Sequence, residues 1–308
     1  MTKFSHSIYF FLCFFILIFN QCFLCYADDS RADLSSIKSW GYWLQDINIQ
    51  EIIDSPYDII VMDYALDGTD DTAFTSGQIQ QIKDSGKRVL AYFSIGEAED
   101  YRFYWKDNYE EGSPGFIGPE NPNFLGNYKV RYWKKSWWKK ALKPYLKRIL
   151  AAGFDGVYLD IIDGYYFWGE VQGKGIKKSS RRMIKLVRKI AKFSRKRNGN
   201  DFIICPQNGV SILDDAKEKF KTRYLDIIDC IGVEDLFYNF GTVEDMQFRL
   251  SLFSEMDQAG KKIFSVEYIK PSLYSEYFTL IDNQQINFIG YAADPDRELN
   301  ELIIYDVN

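Results

Sequence analysis

Short, continuously apolar runs recur along this chain and are separated by longer segments with helical spacing. Eight runs are rich in β-branched, aromatic and aliphatic residues, and they are too uniformly apolar for strands with one solvated face. We therefore predict eight buried strands, at residues 40–45, 57–64, 88–95, 157–162, 201–205, within 225–233, 262–266 and 287–291.

Between these runs, apolar residues at helical spacing predict outer helices, at residues 75–85, 137–152, 174–197 and 243–258. Strands that alternate with helices predict an α/β protein, and eight of them predict a (β/α)8 TIM barrel. A doubly wound open sheet is the main alternative, but no Gly-rich phosphate-binding loop follows any of the strands.

The fourth predicted strand carries a carboxylate, Asp160, where the strand runs out. A strand buried on both faces tolerates a carboxylate only where its end faces a cleft. Strand C-termini are also where parallel α/β proteins place their chemistry. The alternative interpretation is that Asp160 and the nearby Asp163 cap or turn the chain.

Polar side chains occupy the same place on five other strands. Because the carboxyl ends of barrel strands lie on one face, these side chains are expected to converge on one cleft. They are Asp63, Glu97, the pair Gln207 and Asn208, Glu234 and Glu267, with Tyr92, Tyr165, Tyr268 and Tyr291 nearby.

Residues 1–27 have the layout of a secretory signal peptide. Lys3 precedes an apolar run over residues 8–19, and Ala27 is a small residue at the exit. The run is short for a membrane span, which needs roughly 20 apolar residues; retention as an uncleaved anchor is the alternative. We expect a secreted or periplasmic protein, cleaved near Ala27 and without stable membrane insertion, whose residues 28–308 form one domain.

The predicted mature chain has no histidine, because His6 is the only one. This excludes Ser-His-Asp and Cys-His catalysis and every zinc site that uses imidazole. Cys205 and Cys230 remain, and both a disulfide and two buried thiols are compatible with an exported protein.

Two segments stand out by composition. Residues 101–135 mix Gly and Pro with Tyr and Trp and are predicted to be a long functional loop. Residues 174–197 carry twelve Lys or Arg and no acid. This charge is typical of the solvated face of an outer helix, and binding to an anionic surface is the alternative. No nucleic-acid partner is expected, since this helix has one aromatic residue and the net charge is −5.

A cleft with acids, amides and aromatic residues suits glycoside hydrolysis, and an aromatic content of 17% favours a carbohydrate-facing surface. Two carboxylates suffice for that reaction: one attacks or activates water, and the other protonates the leaving oxygen. Burial and like charge push their pKa values apart. We expect a monomer that acts on a polysaccharide with no cofactor and no catalytic metal.

Several motifs together resemble one enzyme family. They are Ala91-Tyr92-Phe93-Ser94-Ile95-Gly96-Glu97-Ala98-Glu99 with Tyr101-Arg102 and Trp105, Tyr132-Trp133 before Trp137, Gly153-Phe154-Asp155-Gly156-Val157-Tyr158-Leu159-Asp160 with Asp163, and Gly232-Val233-Glu234. In this combination the chain is similar to glycoside hydrolase family 114, the endo-α-1,4-polygalactosaminidases, over most of its predicted mature length.

The resemblance implies a (β/α)8 enzyme that cleaves α-1,4-linked galactosamine polymers with retention of configuration. It implies Asp160 as nucleophile and Glu234 as general acid/base, which predicts carboxyl groups about 5 Å apart. The resemblance also implies that sugar subsites are lined by Asp63, Glu97, Arg102, Asp163, Gln207, Asn208 and Tyr268. The strand-end pattern adds Tyr92, Glu267 and Tyr291 to these predicted substrate-binding residues.

Two other functions stay open. One is a non-catalytic barrel that binds polysaccharide, against which the presence of both Asp160 and Glu234 argues. The other is a glycosidase with a different α-hexosamine specificity. The basic helix lengthens the interval between the two acids, and this leaves the polymer and the cleavage mode open.

Overall fold

The computed structural model describes residues 30–305 and contains a barrel of eight parallel strands. The predicted signal peptide lies outside the described residues. The barrel strands, in spatial order, are β1 (Trp40–Trp43), β2 (Ile59–Met62), β3 (Arg88–Ser94), β7 (Gly156–Asp160), β8 (Ile203–Pro206), β9 (Cys230–Glu234), β10 (Lys262–Tyr268) and β11 (Phe288–Ala293).

Hydrogen bonds close the barrel at the two places where the strand ladders are interrupted. Between β8 and β9, Gln207 pairs in parallel with Gly232, and the Asn208 N–H donates to the Gly232 carbonyl at 2.9 Å. Between β11 and β1, the Trp40 indole N–H donates to the Ile289 carbonyl at 2.9 Å. The predicted (β/α)8 fold is therefore confirmed.

Helices follow most strands on the outside of the barrel. The segment 225–233, which is predicted to contain the sixth strand, holds the end of a helix at Ile227 and then the start of β9 at Cys230. The helices are α1 (Ile49–Asp54), α2 (Ser76–Asp84), α3 (Lys135–Trp137), α4 (Lys143–Ala152), α5 (Gly164–Tyr166), α6 (Ile176–Asn198), α7 (Ile212–Asp215), α8 (Glu218–Ile227), α9 (Val243–Gln258) and α10 (Tyr274–Asp282). One π-helical turn, Trp138–Leu142, joins α3 to α4, and another, Phe167–Val171, follows α5.

The segment predicted as a long loop, 101–135, contains two strands of a small antiparallel sheet. The three strands of this sheet are β4 (Glu97–Glu99), which precedes the segment, β5 (Ile117–Asn121) and β6 (Phe124–Val130), in the order β4-β6-β5. Trp105 stacks on Tyr128 of β6 with ring centroids 4.7 Å apart. The first strand of this sheet follows shortly after the end of β3, and β6 lies beside the barrel mouth.

Aromatic side chains fill the barrel interior. The Trp40 and Phe264 rings lie 5.2 Å apart, and the Tyr42 and Tyr158 rings 5.4 Å apart. Gly232 makes room for this packing, since a Cβ there would lie 1.7 Å from the Tyr158 hydroxyl. The interior below the mouth is a packed core rather than a channel.

Cys205 on β8 and Cys230 on β9 are both buried, and they are free thiols. Of the two states left open by the sequence, the structure has the reduced one. Among residues 30–305, every helix is too short or too polar to cross a membrane.

Candidate active site

Asp160 ends β7 and is half-buried at the mouth of the barrel. Its Oδ2 accepts a hydrogen bond from the Tyr92 hydroxyl at 2.6 Å, and its Oδ1 accepts one from the Ile161 N–H at 2.7 Å. The strand register places Ser94 of β3 opposite Asp160, so Tyr92 lies two residues before the end of the neighbouring strand. Two donors on neighbouring backbone segments therefore fix the carboxylate.

Glu234 ends β9 and is also half-buried. Its Oε1 accepts a hydrogen bond from the Tyr268 hydroxyl, and its Oε2 accepts one from Asn208 Nδ2 at 2.8 Å. The Glu234 N–H donates to Asn208 Oδ1 at 3.0 Å, which fixes the orientation of that amide. Each of the two carboxylates thus has one tyrosine and one amide donor.

Burial raises the pKa of both the Asp160 and the Glu234 carboxyl group. Burial raises the pKa of Asp160 well above its usual range, and the negative charge of Glu234 raises it further. Burial likewise raises the pKa of Glu234, against the opposing effect of Tyr268 and Asn208. Because two nearby carboxylates repel each other, ionisation of one disfavours ionisation of the other.

Three residues within two positions of a strand end have left-handed backbone conformations. They are Ile161, Asn208 and Asp235, with φ values of 58°, 57° and 50°. Ile161 is the costliest because its side chain is β-branched. Gly96 packs against this turn, where a Cβ would lie 2.2 Å from the Ile161 carbonyl oxygen. The strained turns aim Asp160 and its neighbours toward the cleft.

A cavity of about 440 Å³ opens beside Glu234. Asp163 and Asn208 line it, and Tyr166 and Phe167 contribute aromatic faces. Tyr166 is 51% exposed and Asp163 is exposed as well. Asp163, Asn208 and Glu234 therefore line one cavity.

Glu97 is buried and has two partners. It forms an ion pair with Lys129 of β6, and Asn121 Nδ2 donates to its Oε1 at 3.1 Å. Burial raises the pKa of Glu97, and Lys129 opposes this shift. Glu97 therefore positions Lys129 at the cavity, where Lys129 is a lining residue.

Asp63 and Arg102 were expected to contact sugar, and the structure instead pairs them with each other below the surface. Arg102 donates two hydrogen bonds to Asp63, at 2.6 and 2.9 Å, and its Nε donates to Glu99 at 2.8 Å. All three residues are buried. Their hydrogen-bonding groups are turned toward one another, so they support the mouth without lining it.

Glu267 and Tyr291 were also predicted to bind substrate, and both are fully buried. Glu267 accepts hydrogen bonds from three backbone N–H groups of the loop 236–238. Burial raises the pKa of Glu267 to about 7. The Tyr291 hydroxyl accepts a hydrogen bond from the Ile303 N–H. Both side chains are hydrogen-bonded to backbone N–H groups inside the protein, so neither lines a sugar subsite.

Gln207 and Tyr165 are likewise buried. Gln207 Oε1 accepts a hydrogen bond from Tyr42 at 3.3 Å, below the mouth, and the Tyr165 hydroxyl donates to Asp215 at 2.7 Å. Tyr165 and Asn208 both line the cavity. Gln207 does not line it, but its side chain lies close enough to Glu234 to lower the pKa of that carboxyl.

Two arginines lie near Glu234 that the sequence did not predict to be part of the site. Arg249 donates to the carbonyls of Glu234 and Asp235 at 3.0 and 3.1 Å. Arg297 forms an ion pair with Asp235 at 2.8 Å and lies over the Tyr268 ring. Arg297 follows the eighth strand, and the pattern of polar residues after strands is the signal that identifies it.

A larger cavity, of about 720 Å³, lies at the opposite end of the barrel, where the strands begin. Four acids line it, Asp33, Asp226, Asp229 and Asp257, and Asp229 is paired with Arg31 and Arg195. The two strand-end carboxylates Asp160 and Glu234 lie at the other end, at the mouth.

The solved structures with a similar fold include the protein Ega3 and a glycoside hydrolase domain. Ega3 of Aspergillus fumigatus, solved in complex with galactosamine, has a TM-score of 0.63 at 16% identity over 87% of this chain and 96% of Ega3. The glycoside hydrolase domain of PelA from Pseudomonas aeruginosa has a TM-score of 0.64 at 15% identity over 87% of this chain and 98% of that one. At these identities the likeness concerns the fold.

Sequence relatives are more similar. An uncharacterized protein of Methanocaldococcus jannaschii is 37% identical over 85% of this chain and 77% of its own length. Another, of Thermotoga maritima, is 34% identical over 87% of this chain and 84% of its own. The model of glycoside-hydrolase family GH114 matches residues 27–302. The chain is a glycoside hydrolase of family GH114.

Proposed function

We propose that this glycoside hydrolase cleaves α-1,4-linked galactosamine-type polysaccharide with retention of configuration, using Asp160 as nucleophile and Glu234 as general acid/base. The observation that carries the proposal is the pair of half-buried carboxylates at the ends of β7 and β9, each held by one tyrosine hydroxyl and one amide N–H. The complex of the fold neighbour Ega3 with galactosamine supports the substrate class.

The first step would form a bond between an Asp160 oxygen and the anomeric carbon, while the bond from that carbon to the leaving oxygen breaks. Glu234, protonated, gives its proton to the leaving oxygen. In the second step Glu234, now a carboxylate, takes a proton from water, which attacks the anomeric carbon and releases Asp160. Two inversions give net retention, and the mechanism requires carboxyl groups about 5 Å apart.

The neighbours of the pair suit these roles. The Tyr92 hydroxyl and the Ile161 N–H stabilise negative charge on Asp160, as a nucleophile requires. Asn208 is oriented so that its amide donates to Oε2 of Glu234. Oε1 accepts a hydrogen bond from the Tyr268 hydroxyl, so both oxygens of the proposed acid/base are held in one orientation at the mouth.

The surroundings of the cavity support an amino-sugar polymer. Tyr166 and Phe167 supply aromatic faces on which sugar rings can stack, and the exposed Asp163 supplies a carboxylate for an ammonium group. An acidic mouth raises the local concentration of a cationic, partly deacetylated polymer.

Reducing-end release from galactosamine-rich exopolysaccharide tests the proposal. The wild type, Asp160→Asn and Glu234→Gln are compared after thermal unfolding has shown that all three are folded. We expect cleavage by the wild type and a loss of several orders of magnitude in both variants. If the wild type binds the polymer and never cuts it, the chain is a polysaccharide-binding barrel. Cleavage of a different α-hexosamine polymer alone would overturn the substrate and keep the acid pair.

A further inference from the structure

Two neighbouring helical segments on the flank of the barrel concentrate the positive charge of the chain. We define the basic flank as residues 131–152 and 174–198, which precede and follow β7. It carries 20 of the 38 Lys and Arg residues and none of the 43 Asp and Glu residues. The remainder of the chain therefore has 18 basic and 43 acidic residues, and the protein is strongly polarised although its net charge is only −5.

The two segments of the basic flank form one continuous surface. Trp138 and Phe193 of α6 meet edge to face with ring centroids 5.6 Å apart. The Lys189 ammonium lies 4.1 Å from the Trp138 ring centroid and bridges the two helices. Charges that are far apart in the sequence thus act on the same region of solvent.

Most of these charges have no carboxylate partner. Within residues 30–305, Arg148 pairs with Asp70 and Arg195 pairs with Asp229, and the other cations of the basic flank form no ion pair. Partial burial lowers the pKa of Lys189, and the nearby charges of Lys135 and Lys143 lower it further. Unpaired like charges work against the compact state, and an external anion would relieve them.

The form of the basic flank indicates which anion it suits. Helix α6 has 23 residues and is about 34 Å long. A flat surface can touch a convex barrel only along a strip about two helices wide, and the acid-free run of Lys and Arg is confined to such a strip. The outer neighbours α2 and α8 carry charges of both signs, among them Lys83 and Asp84 in α2 and Lys221 and Asp226 in α8.

The exposed side chains of the basic flank are cationic rather than apolar. Within the described residues, the large exposed hydrophobic side chains all lie outside residues 131–152 and 174–198. A surface without an apolar side chain to insert binds by charge alone, as peripheral proteins do on anionic lipid headgroups.

We propose that the basic flank docks the protein peripherally on an anionic lipid bilayer, independently of its glycosidase activity. The barrel axis then lies along the membrane, and the mouth with Asp160 and Glu234 faces sideways. The attraction adds over several lysines and is screened by salt.

Co-sedimentation with vesicles tests the proposal. The probes are vesicles of phosphatidylcholine alone and of phosphatidylcholine with phosphatidylglycerol in equal parts. One variant replaces the exposed stripe Lys185, Lys189, Lys192 and Lys196 by Gln. A matched control replaces four exposed lysines elsewhere, Lys38, Lys106, Lys217 and Lys270, by Gln. Thermal unfolding confirms that both variants are folded.

We expect the wild type to bind phosphatidylglycerol vesicles at least about tenfold more strongly than neutral ones, with the preference lost in about 0.5 M salt. The stripe variant should lose about tenfold or more in binding, and the control variant less than about twofold. The proposal is overturned if the wild type binds both kinds of vesicle alike or neither, or if both variants lose binding equally. It is also overturned if the flank binds soluble dextran sulfate and ignores the vesicles.

Discussion

The Tyr92 hydroxyl donates a 2.6 Å hydrogen bond to Oδ2 of Asp160, across neighbouring strands of the barrel. This bond lowers the pKa of a carboxyl group that burial and Glu234 raise. A tyrosine inside the barrel wall thereby governs the ionisation of the proposed nucleophile, and its removal gives a prediction about pH.

In Tyr92→Phe, Asp160 loses a donor and its pKa rises. Because the nucleophile must be ionised, the acidic limb of the pH profile of kcat/KM should move to higher pH. A hydrogen bond to a charged group contributes about 1.5–3 kcal/mol, so we expect roughly 10- to 100-fold lower activity near the acidic limb. Tyr132→Phe, which loses a buried 2.9 Å bond to the Ser179 carbonyl, is the control and should keep the wild-type profile. An unmoved acidic limb in Tyr92→Phe would refute this role.

Glu267→Gln tests whether that acid supports backbone or binds sugar. Burial raises the pKa of Glu267 to about 7 in the folded protein, above the ordinary value of 4.5. Between these two values the folded state binds a proton that the unfolded state releases, so stability falls as pH rises from 4.5 to 7. This contribution is at most about 1.4 kcal/mol per pH unit.

We expect the stability of Glu267→Gln, measured by urea unfolding, to lack this slope. The KM of the variant should stay within about threefold of the wild type, because the side chain is buried under loop 236–238. A large rise in KM without a change in stability would return Glu267 to the substrate site.

Arg102→Met leaves the buried carboxylates of Asp63 and Glu99 without their cation. Breaking a buried pair costs about 3–5 kcal/mol of unfolding free energy. The control Arg148→Met breaks a partly exposed pair with Asp70 and should cost less than about 1 kcal/mol.

The deficit of Arg102→Met should also depend on pH. Burial raises the pKa of Asp63, and Arg102 opposes that shift. Without Arg102 the folded state takes up a proton more readily, so the deficit is smaller at pH 5 than at pH 8. Equal deficits at both pH values would contradict this account of the ion pair.

Gly96→Ala should damage the site through its backbone. The new Cβ would lie 2.2 Å from the Ile161 carbonyl oxygen, so the strained turn after Asp160 must move. We expect a loss of at least about 100-fold in kcat, since small displacements of catalytic groups are costly. Gly77→Ala in α2, where the nearest atom is 3.9 Å away, should leave kcat unchanged and should not lower the melting temperature. Full activity in Gly96→Ala would show that the turn does not position Asp160.

The sequence predicts the barrel because each strand is a continuous apolar run, and it places Asp160 and Glu234 at strand ends correctly. It does not tell in which direction a strand-end side chain points. Glu267 has the same sequence context as Glu234, yet loop 236–238 folds over it and buries it. That outcome depends on tertiary packing and leaves no local signal.

The small sheet was missed for a related reason. Residues 117–130 contain glycines and prolines that are typical of loops, and their strands form through pairing with β4 and packing of Tyr128 on Trp105. Lys129, which forms an ion pair with Glu97, belongs to this sheet. The sequence alone therefore does not predict that ion pair.

Trapping of the covalent intermediate tests the central claim most directly. Glu234→Gln is incubated with a galactosaminide that carries a good leaving group, so that the first step needs no acid and the second lacks its base. Mass spectrometry of the peptides should then find one galactosaminyl group, esterified to Asp160. A sugar adduct on another acid, or product of inverted configuration with no adduct, would contradict a retaining mechanism through Asp160.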